Sequence, residues 1–273
     1  MGHDSDYTES QLRFNRFARN GFQMALESLA QEVDSEPSIL NLGVGPGGNL
    51  DLFSEVFDDP EVTAVDISQP HLDRAREEAK EELDVEFLQG DVNKELGIDK
   101  EYDLVWASDL LNPDSVEHPK DVVKEIKQYM NKSGKAALYF NNWLRPTFLP
   151  GYLELEAKIL SEVSEEFENN WQGYKSHENA FKWLKEADFS NIEREFYQIT
   201  LENPYDESMD YPKQVVKEGL YQNAVERLNK KGDLSEEELG IWNRLSDEES
   251  EAYIFQQEGY YASIPGVLFT GEK

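Results

Sequence analysis

Gly43, Gly45 and Gly48, followed by Asp66 and Asp91, are the residues whose types and spacing could hold a nucleotide-like ligand. The glycines close an apolar run, Ile39-Leu40-Asn41-Leu42. A side chain at such a turn would block positive φ angles and the close approach of main-chain N–H groups to a ligand. Gly43, Gly45 and Gly48 satisfy G-x-G-x-x-G, and Gly47 supplies G-x-G-x-G equally well. Asp66 ends the run Val62-Thr63-Ala64-Val65, about where a dinucleotide fingerprint places its ribose acid. An ionised carboxylate only accepts hydrogen bonds, which suits a pair of ribose hydroxyls. A second acid, Asp91, follows the run Val85-Glu86-Phe87-Leu88-Gln89-Gly90. By themselves these residues permit NAD, another nucleotide, or a structural turn with no ligand.

Other chemistry is sparse. There is no cysteine, which excludes disulfides, thiol nucleophiles and thiolate metal sites. The four histidines lack metal spacing and the carboxylates lack a calcium-loop pattern, so no metal is expected.

The elements that must position the glycines and acids follow from periodicity. A buried strand over 39–42 delivers the glycine turn, and Leu50, Phe53 and Phe57 then fall at helical spacing. Ahead of it, residues 9–32 read as a helix. Further strands are expected over 62–68, 85–91, 102–108, 136–140, 192–200 and 264–270. Helices are expected over 68–83, with Pro70 in the first turn, over 119–130, starting beside His118, and over 176–187. Residues 132–134 read as the loop into the fifth strand. Strands alternating with helices at this spacing imply crossover units and a mostly parallel, Rossmann-like α/β sheet covered on both faces.

The organisation expected is one domain over 1–273, with a helical cap at 1–36 and helical insertions at 143–175 and 203–258 serving as a lid. Both insertions follow strand C-terminal ends, where open α/β sheets bind ligands. The aromatics Tyr205, Tyr211, Tyr221, Trp242, Tyr253, Phe255, Tyr260 and Tyr261 read as the core of the later insertion ahead of an acceptor pocket.

Lys+Arg total 26 against 57 Asp+Glu, a formal charge of −31. Such a surface repels phosphate backbones and excludes a nucleic-acid partner at ordinary salt. The acids are dispersed along helical patterns, which reads as a solvated face adapted to high salt, ahead of a cationic partner. Residues 1–6 carry no basic or apolar leader pattern and no run reaches a membrane-spanning length, so a soluble cytoplasmic protein is expected.

Together these motifs resemble a class I S-adenosylmethionine-dependent methyltransferase over nearly the whole chain. Asn41-Leu42-Gly43-Val44-Gly45-Pro46-Gly47 resembles that family's first motif. Val65-Asp66-Ile67-Ser68, Gln89-Gly90-Asp91-Val92 and Tyr102-Asp103-Leu104-Val105 are similar to the motifs of its second, third and fourth strands. The end of the chain, Gly266-Val267-Leu268-Phe269-Thr270, is similar to its last, antiparallel strand, inserted beside the sixth. The subgroup most resembled is the ubiquinone/menaquinone-biosynthesis type, whose members carry an N-terminal Tyr, here Tyr7, and a late helical insertion.

The resemblance implies S-adenosylmethionine as cofactor, held by Tyr7, Asn41, Gly43, Val44, Gly45, Gly47, Asp66, Ile67, Gly90, Asp91, Val92 and Ser108. It departs at Asn41, where the family usually has an acid, and at Asp109-Leu110-Leu111-Asn112-Pro113, where relatives often have a histidine pair. Acceptor-side candidates are Ser108, Asp109 and Asn112, then Asn141, Asn142 and Trp143, with Tyr152 and His177 from the insertion side. Methyl transfer to a quinone, phenol or amine needs alignment and exclusion of water, and a base only if the acceptor must lose a proton. No catalytic residue is assigned at this level. The alternatives are an NAD(P)-dependent oxidoreductase and a non-catalytic S-adenosylmethionine-binding regulatory protein.

Overall fold

The computed structural model describes residues 5–80, 83–111, 116–143, 145–170, 176–202 and 206–273, and within them all side chains but those of 5, 6, 167–170, 176 and 177. The chain forms two compact units. The first comprises Met1–Asn141, Gly173–Tyr197 and Gly266–Lys273, and the second Asn142–Gln172 with Gln198–Pro265.

Seven strands form one sheet: β1 (Ser38–Leu42), β2 (Glu61–Asp66), β3 (Asp84–Gln89), β4 (Tyr102–Ser108), β5 (Met130–Asn141), β6 (Ser190–Leu201) and β7 (Ala262–Glu272). Their order is β3-β2-β1-β4-β5-β7-β6. The pairs β1–β2, β1–β4, β2–β3 and β4–β5 are parallel, and β7 runs antiparallel to β5. The central strands are apolar on both faces because both are covered: Ile39, Leu40, Leu104, Val105 and Leu138 are fully buried. The expected doubly covered, mostly parallel sheet with an antiparallel last strand is the fold observed.

In the first unit, α1 (Ser5–Leu29), α2 (Asp51–Val56), α3 (Gln69–Glu78), α4 (Pro119–Ile126) and α6 (Ser176–Glu186) surround the sheet. Helix α1 buries Leu12, Phe17, Phe22, Leu26 and Leu29. Arg19 clamps α1 to α2 through Asp51 at 2.9 Å and Glu55 at 2.8 Å. Pro70 sits in the first turn of α3 as expected, but the helix ends at Glu78, short of the predicted 83.

Residues 132–134 are a correction. The predicted loop lies inside β5, where the register jumps from Tyr102↔Met130 to Leu104↔Lys135. The extra residues bulge out, Asn131 Oδ1 accepts from the Ser133 N–H at 3.0 Å, and a Cβ on Gly134 would come 2.8 Å from the Tyr102 carbonyl oxygen.

The second unit joins the two inserted segments. It contains α5 (Leu153–Asn170), α7 (Asp210–Lys217), α8 (Leu220–Lys231) and α9 (Glu236–Ser246). Glu162 on α5 accepts from Arg227 and Lys231 on α8 at 2.9 and 2.6 Å. The buried Glu156 carboxylate accepts from the Phe148 and Leu149 N–H groups and from Tyr221 Oη, at 2.6, 3.1 and 2.8 Å. Tyr221, Trp242, Tyr253, Phe255 and Tyr260 are buried and form this unit's own core, with Tyr261 partly exposed; Tyr205 lies outside the described residues. Pro212 lies in the first turn of α7, where its missing N–H has no intrahelical partner to lose. Gly232 ends α8 at φ 78°, as expected of a helix stop. No described helix is long and apolar enough to cross a membrane.

Candidate cofactor site

The glycine turn leaves β1 with Gly43, Gly45 and Gly47 at φ 71°, 58° and 83°, while Gly48 is not left-handed. The observed string is therefore G-x-G-x-G. Gly47 also permits contact with α3, since a Cβ there would lie 2.7 Å from Ala75 Cα. Among the described residues, a Cβ at Gly45 would meet only Gln11 Oε1 at 4.0 Å, so the turn's open side is here.

The turn's donors face inward, contrary to the expectation that they point at a ligand. Gly43 N and Val44 N both donate to the Val65 carbonyl, at 2.8 and 3.0 Å. Gly47 N donates to the Val44 carbonyl at 3.3 Å, and Gly45 N donates to Asp66 Oδ2 at 2.9 Å. Buried N–H groups need partners, and the end of β2 supplies those of Gly43, Val44 and Gly45.

Asp66 is thus the hinge pin of the site. Its Oδ1 accepts from the Ser68 N–H at 2.8 Å, and His71 Nδ1 lies 3.5 Å from the same oxygen. Burial pushes the carboxyl up, but hydrogen bonds from His71, Ser68 and Gly45 outweigh it and hold Asp66 below the usual carboxylate range. Tyr7 stacks on His71 at 6.3 Å between ring centroids, which brings the N-terminal helix to this corner. Beside Asp66, Ile67 is 57% exposed, an apolar side chain held in solvent where a base could cover it.

At the end of β3, Gly90 N donates to the Asp66 carbonyl at 3.0 Å, and a Cβ on Gly90 would lie 2.8 Å from Leu96. Asp91 accepts from the Asn93 N–H at 3.0 Å and from Lys94 Nζ at 2.8 Å. Its carboxyl is lowered, chiefly by the Lys94 hydrogen bond. Val92 packs its side chain against the core.

A cavity of about 30 Å³ lies under the turn, lined among others by Phe22, Asn41, Gly43, Asn49, Trp106 and Ser108. Asn49 Oδ1 is buried there with no hydrogen-bond partner among the described residues. Space of this size takes about two waters or one small polar group.

At the far side of the site, Asp109 follows β4 with φ 49°. Its Oδ1 accepts from the Asn141 N–H at 2.8 Å and its Oδ2 from Asn141 Nδ2 at 2.7 Å. Burial exceeds these two donors and lifts the carboxyl to about 6.

Tyr7, Asn41, the glycines, Val44, Asp66, Ile67, Gly90, Asp91, Val92, Ser108 and Asp109 therefore all lie in the first unit. In the second unit, Asn142 N donates to the Pro265 carbonyl at 2.8 Å, Trp143 packs edge-on against Tyr211, and Tyr152 accepts from Glu156 N ahead of α5. Asn112 and the His177 side chain lie outside the described residues. The sequence reading missed His71 and Asn49. Among the described residues no group of His, Cys, Asp and Glu could hold a metal ion.

Residues 39–134 match the family model described as a methyltransferase domain. This segment is similar to a methyltransferase domain. It spans β1 to the bulge of β5 and carries every cofactor candidate except Tyr7.

Solved structures share the fold at low identity. A Bacillus halodurans protein is 17% identical, with 93% of this chain and 99% of that one covered and a TM-score of 0.51. The plantazolicin methyltransferase BpumL, solved with SAH, is 12% identical over 99% of this chain and 92% of its own, with a TM-score of 0.50. The precorrin-6y C5,15-methyltransferase of Geobacter metallireducens is 9% identical over 93% and 88%, with a TM-score of 0.51. No curated protein matches the chain. The matched segment thus sits in a sheet whose order and antiparallel β7 are those of the Rossmann-like methyltransferase fold.

Proposed function

We propose that the methyltransferase domain uses S-adenosylmethionine to methylate a small-molecule acceptor of the quinone, phenol or amine type. The observation that carries this reading is the glycine turn tied to Asp66 through Gly45 N, with a polar cavity directly beneath it. The residues fit the group. The Asn49 carbonyl oxygen, buried and unpartnered among the described residues, and the buried Asn41 give the amino end of a methionine neutral acceptors in place of the acid the family usually has. The Cβ-free side of Gly45 leaves room for the ligand, and Ile67 leaves an apolar face for adenine. Asp66 keeps lone pairs for ribose hydroxyls beyond those given to Gly45 and Ser68.

When bound, S-adenosylmethionine supplies a methyl group on a sulfonium, already activated for in-line displacement. The chain's residues need to orient it, exclude water and align the acceptor.

Calorimetric titration with S-adenosylhomocysteine, and with NADH as control, tests the reading; molar KCl in the buffer suits a chain of charge −31. The homocysteine nucleoside should bind and NADH should not, whereas NADH binding alone would overturn the reading. Asp66→Ala should weaken S-adenosylhomocysteine binding by about 1.5–3 kcal/mol, the range for hydrogen bonds to a charged group. Full affinity in that variant removes Asp66 from the ribose role.

A further inference from the structure

Asp109 sits between two residues that touch the glycine-turn site. Ser108 lines the cavity beside Asn41 and Gly43, and the Leu110 side chain lies 2.7 Å from where a Cβ on Gly43 would stand. The carboxyl bearer is thus fixed within one residue of the turn, at the sheet's switch point between β1 and β4, where open α/β sheets bind ligands. Its backbone is left-handed, a conformation aspartate tolerates but rarely adopts and one that concentrates at functional sites. The Asp109 N–H donates to the Tyr139 carbonyl at 2.9 Å, and both carboxylate oxygens are oriented by Asn141. The side chain has little freedom left, as a proton acceptor in a fixed direction requires.

We propose that Asp109 is the catalytic base of this methyltransferase and that its acceptor carries a proton on the attacking oxygen or nitrogen. This rests on the reading above. In the step, the acceptor's lone pair forms the new bond to the methyl carbon. The carbon–sulfur bond breaks with its electron pair returning to sulfur, so the sulfonium becomes a thioether. The proton from the acceptor's O–H or N–H passes to an Asp109 oxygen and then to solvent. Asp109 is poised for this: burial has lifted its carboxyl to about 6, close to operating pH, while the two Asn141 donors keep it ionised at neutrality. Tyr139, the ionisable neighbour on β5, stays protonated, because burial and the nearby Asp109 charge push its phenol well above its ordinary value.

The test compares wild type, Asp109→Asn and Asn141→Ala with catechol, sarcosine and dimethyl sulfide as acceptors, reading S-adenosylhomocysteine release against pH. Catechol or sarcosine should be methylated, which also tells the oxygen from the nitrogen source. Asp109→Asn should lower kcat about 100-fold or more while leaving S-adenosylhomocysteine affinity unchanged. The acid limb of kcat/KM near pH 6 should vanish in Asp109→Asn and move to higher pH in Asn141→Ala, which removes one donor. In the free protein, the melting-temperature difference between wild type and Asp109→Asn should turn near the same pH. An unchanged rate in Asp109→Asn, an unmoved acid limb in Asn141→Ala, turnover of dimethyl sulfide alone, or no turnover of any acceptor by a wild type that binds S-adenosylhomocysteine would each overturn the proposal. A wild type that binds no S-adenosylhomocysteine overturns the underlying reading instead.

Discussion

Asp66 and Asp109 are the same residue type in matching places, one ending a parallel strand and the other directly following one, yet their carboxyls move in opposite directions. Asp66 is held below its ordinary range and Asp109 is lifted to about 6. In both, desolvation is the largest single influence and raises the carboxyl, and both accept from main-chain N–H groups. The difference is in the donors: Asp66 accepts from two separate backbone N–H groups and lies beside an imidazole, whereas Asn141 gives Asp109 its main-chain and side-chain N–H groups. Burial sets the cost of the charge, and the donors decide whether it is met. One aspartate becomes a permanent anion that fixes a loop, the other a group able to exchange a proton.

If the Asp66 corner is a rigid anchor, disturbing the turn it holds should have the largest effect. Gly47→Val combines a left-handed φ of 83° with a Cβ 2.7 Å from the Ala75 backbone. The left-handed penalty of about 1–2 kcal/mol adds to overpacking of about 1–3 kcal/mol. Urea denaturation should therefore show a loss of about 2–5 kcal/mol. Near-native stability would mean that the turn yields easily, and the contrast between a rigid corner and a reactive one would lose its basis.

The anchor was only half legible in the sequence. Asp66 and the glycines stood out because an apolar run ending in glycine and a β-branched run ending in acid are strong periodic signals. Nothing in the spacing marked His71, which reaches back from the first turn of α3 to the strand end, an i+5 contact with no sequence pattern. Asn49 carried no signal either, since a buried unpartnered amide depends on the α1 and β4 side chains that roof its cavity. The direction of the turn's N–H groups was misread because the Val65 carbonyl lies on the neighbouring strand, and register cannot be seen locally. The strands fared best: β4 was read at 102–108, as observed, because Tyr102, Leu104, Val105 and Trp106 are buried in a doubly covered sheet. The bulge at 131–134 looked like an ordinary loop, because Lys-Ser-Gly composition does not say whether the flanking residues pair.

A smaller effect separates the cap from the anchor. Ser68 caps α3 by accepting from the His71 N–H at 3.4 Å, a long hydrogen bond, while its own N–H serves Asp66. Ser68→Ala removes only the hydroxyl, so stability should fall by about 0.5–1 kcal/mol, the low end for N-caps. Affinity for S-adenosylhomocysteine should hardly change, because the backbone donor to Asp66 remains. A large loss of affinity with little loss of stability would show that the cap, rather than the carboxylate, organises the site.

The smallest and most direct comparison uses pH. Asp66 has a folded pKa below its unfolded value, so its stabilising contribution is complete above about pH 4 and is lost as pH falls through the depressed value. Asp109 has a raised folded pKa, so its contribution is complete below about pH 4 and is lost as pH rises through about 6. Between pH 4.5 and 7.5 the melting temperature of wild type relative to Asp109→Asn should therefore fall by about 2–4 °C, which corresponds to roughly 1 kcal/mol. Relative to Asp66→Asn it should stay flat over that window and drop only in stronger acid. Parallel profiles for the two variants would mean that the donors around the two carboxylates are equivalent, and that Asp109 is ionised at every working pH and has no proton capacity near neutrality.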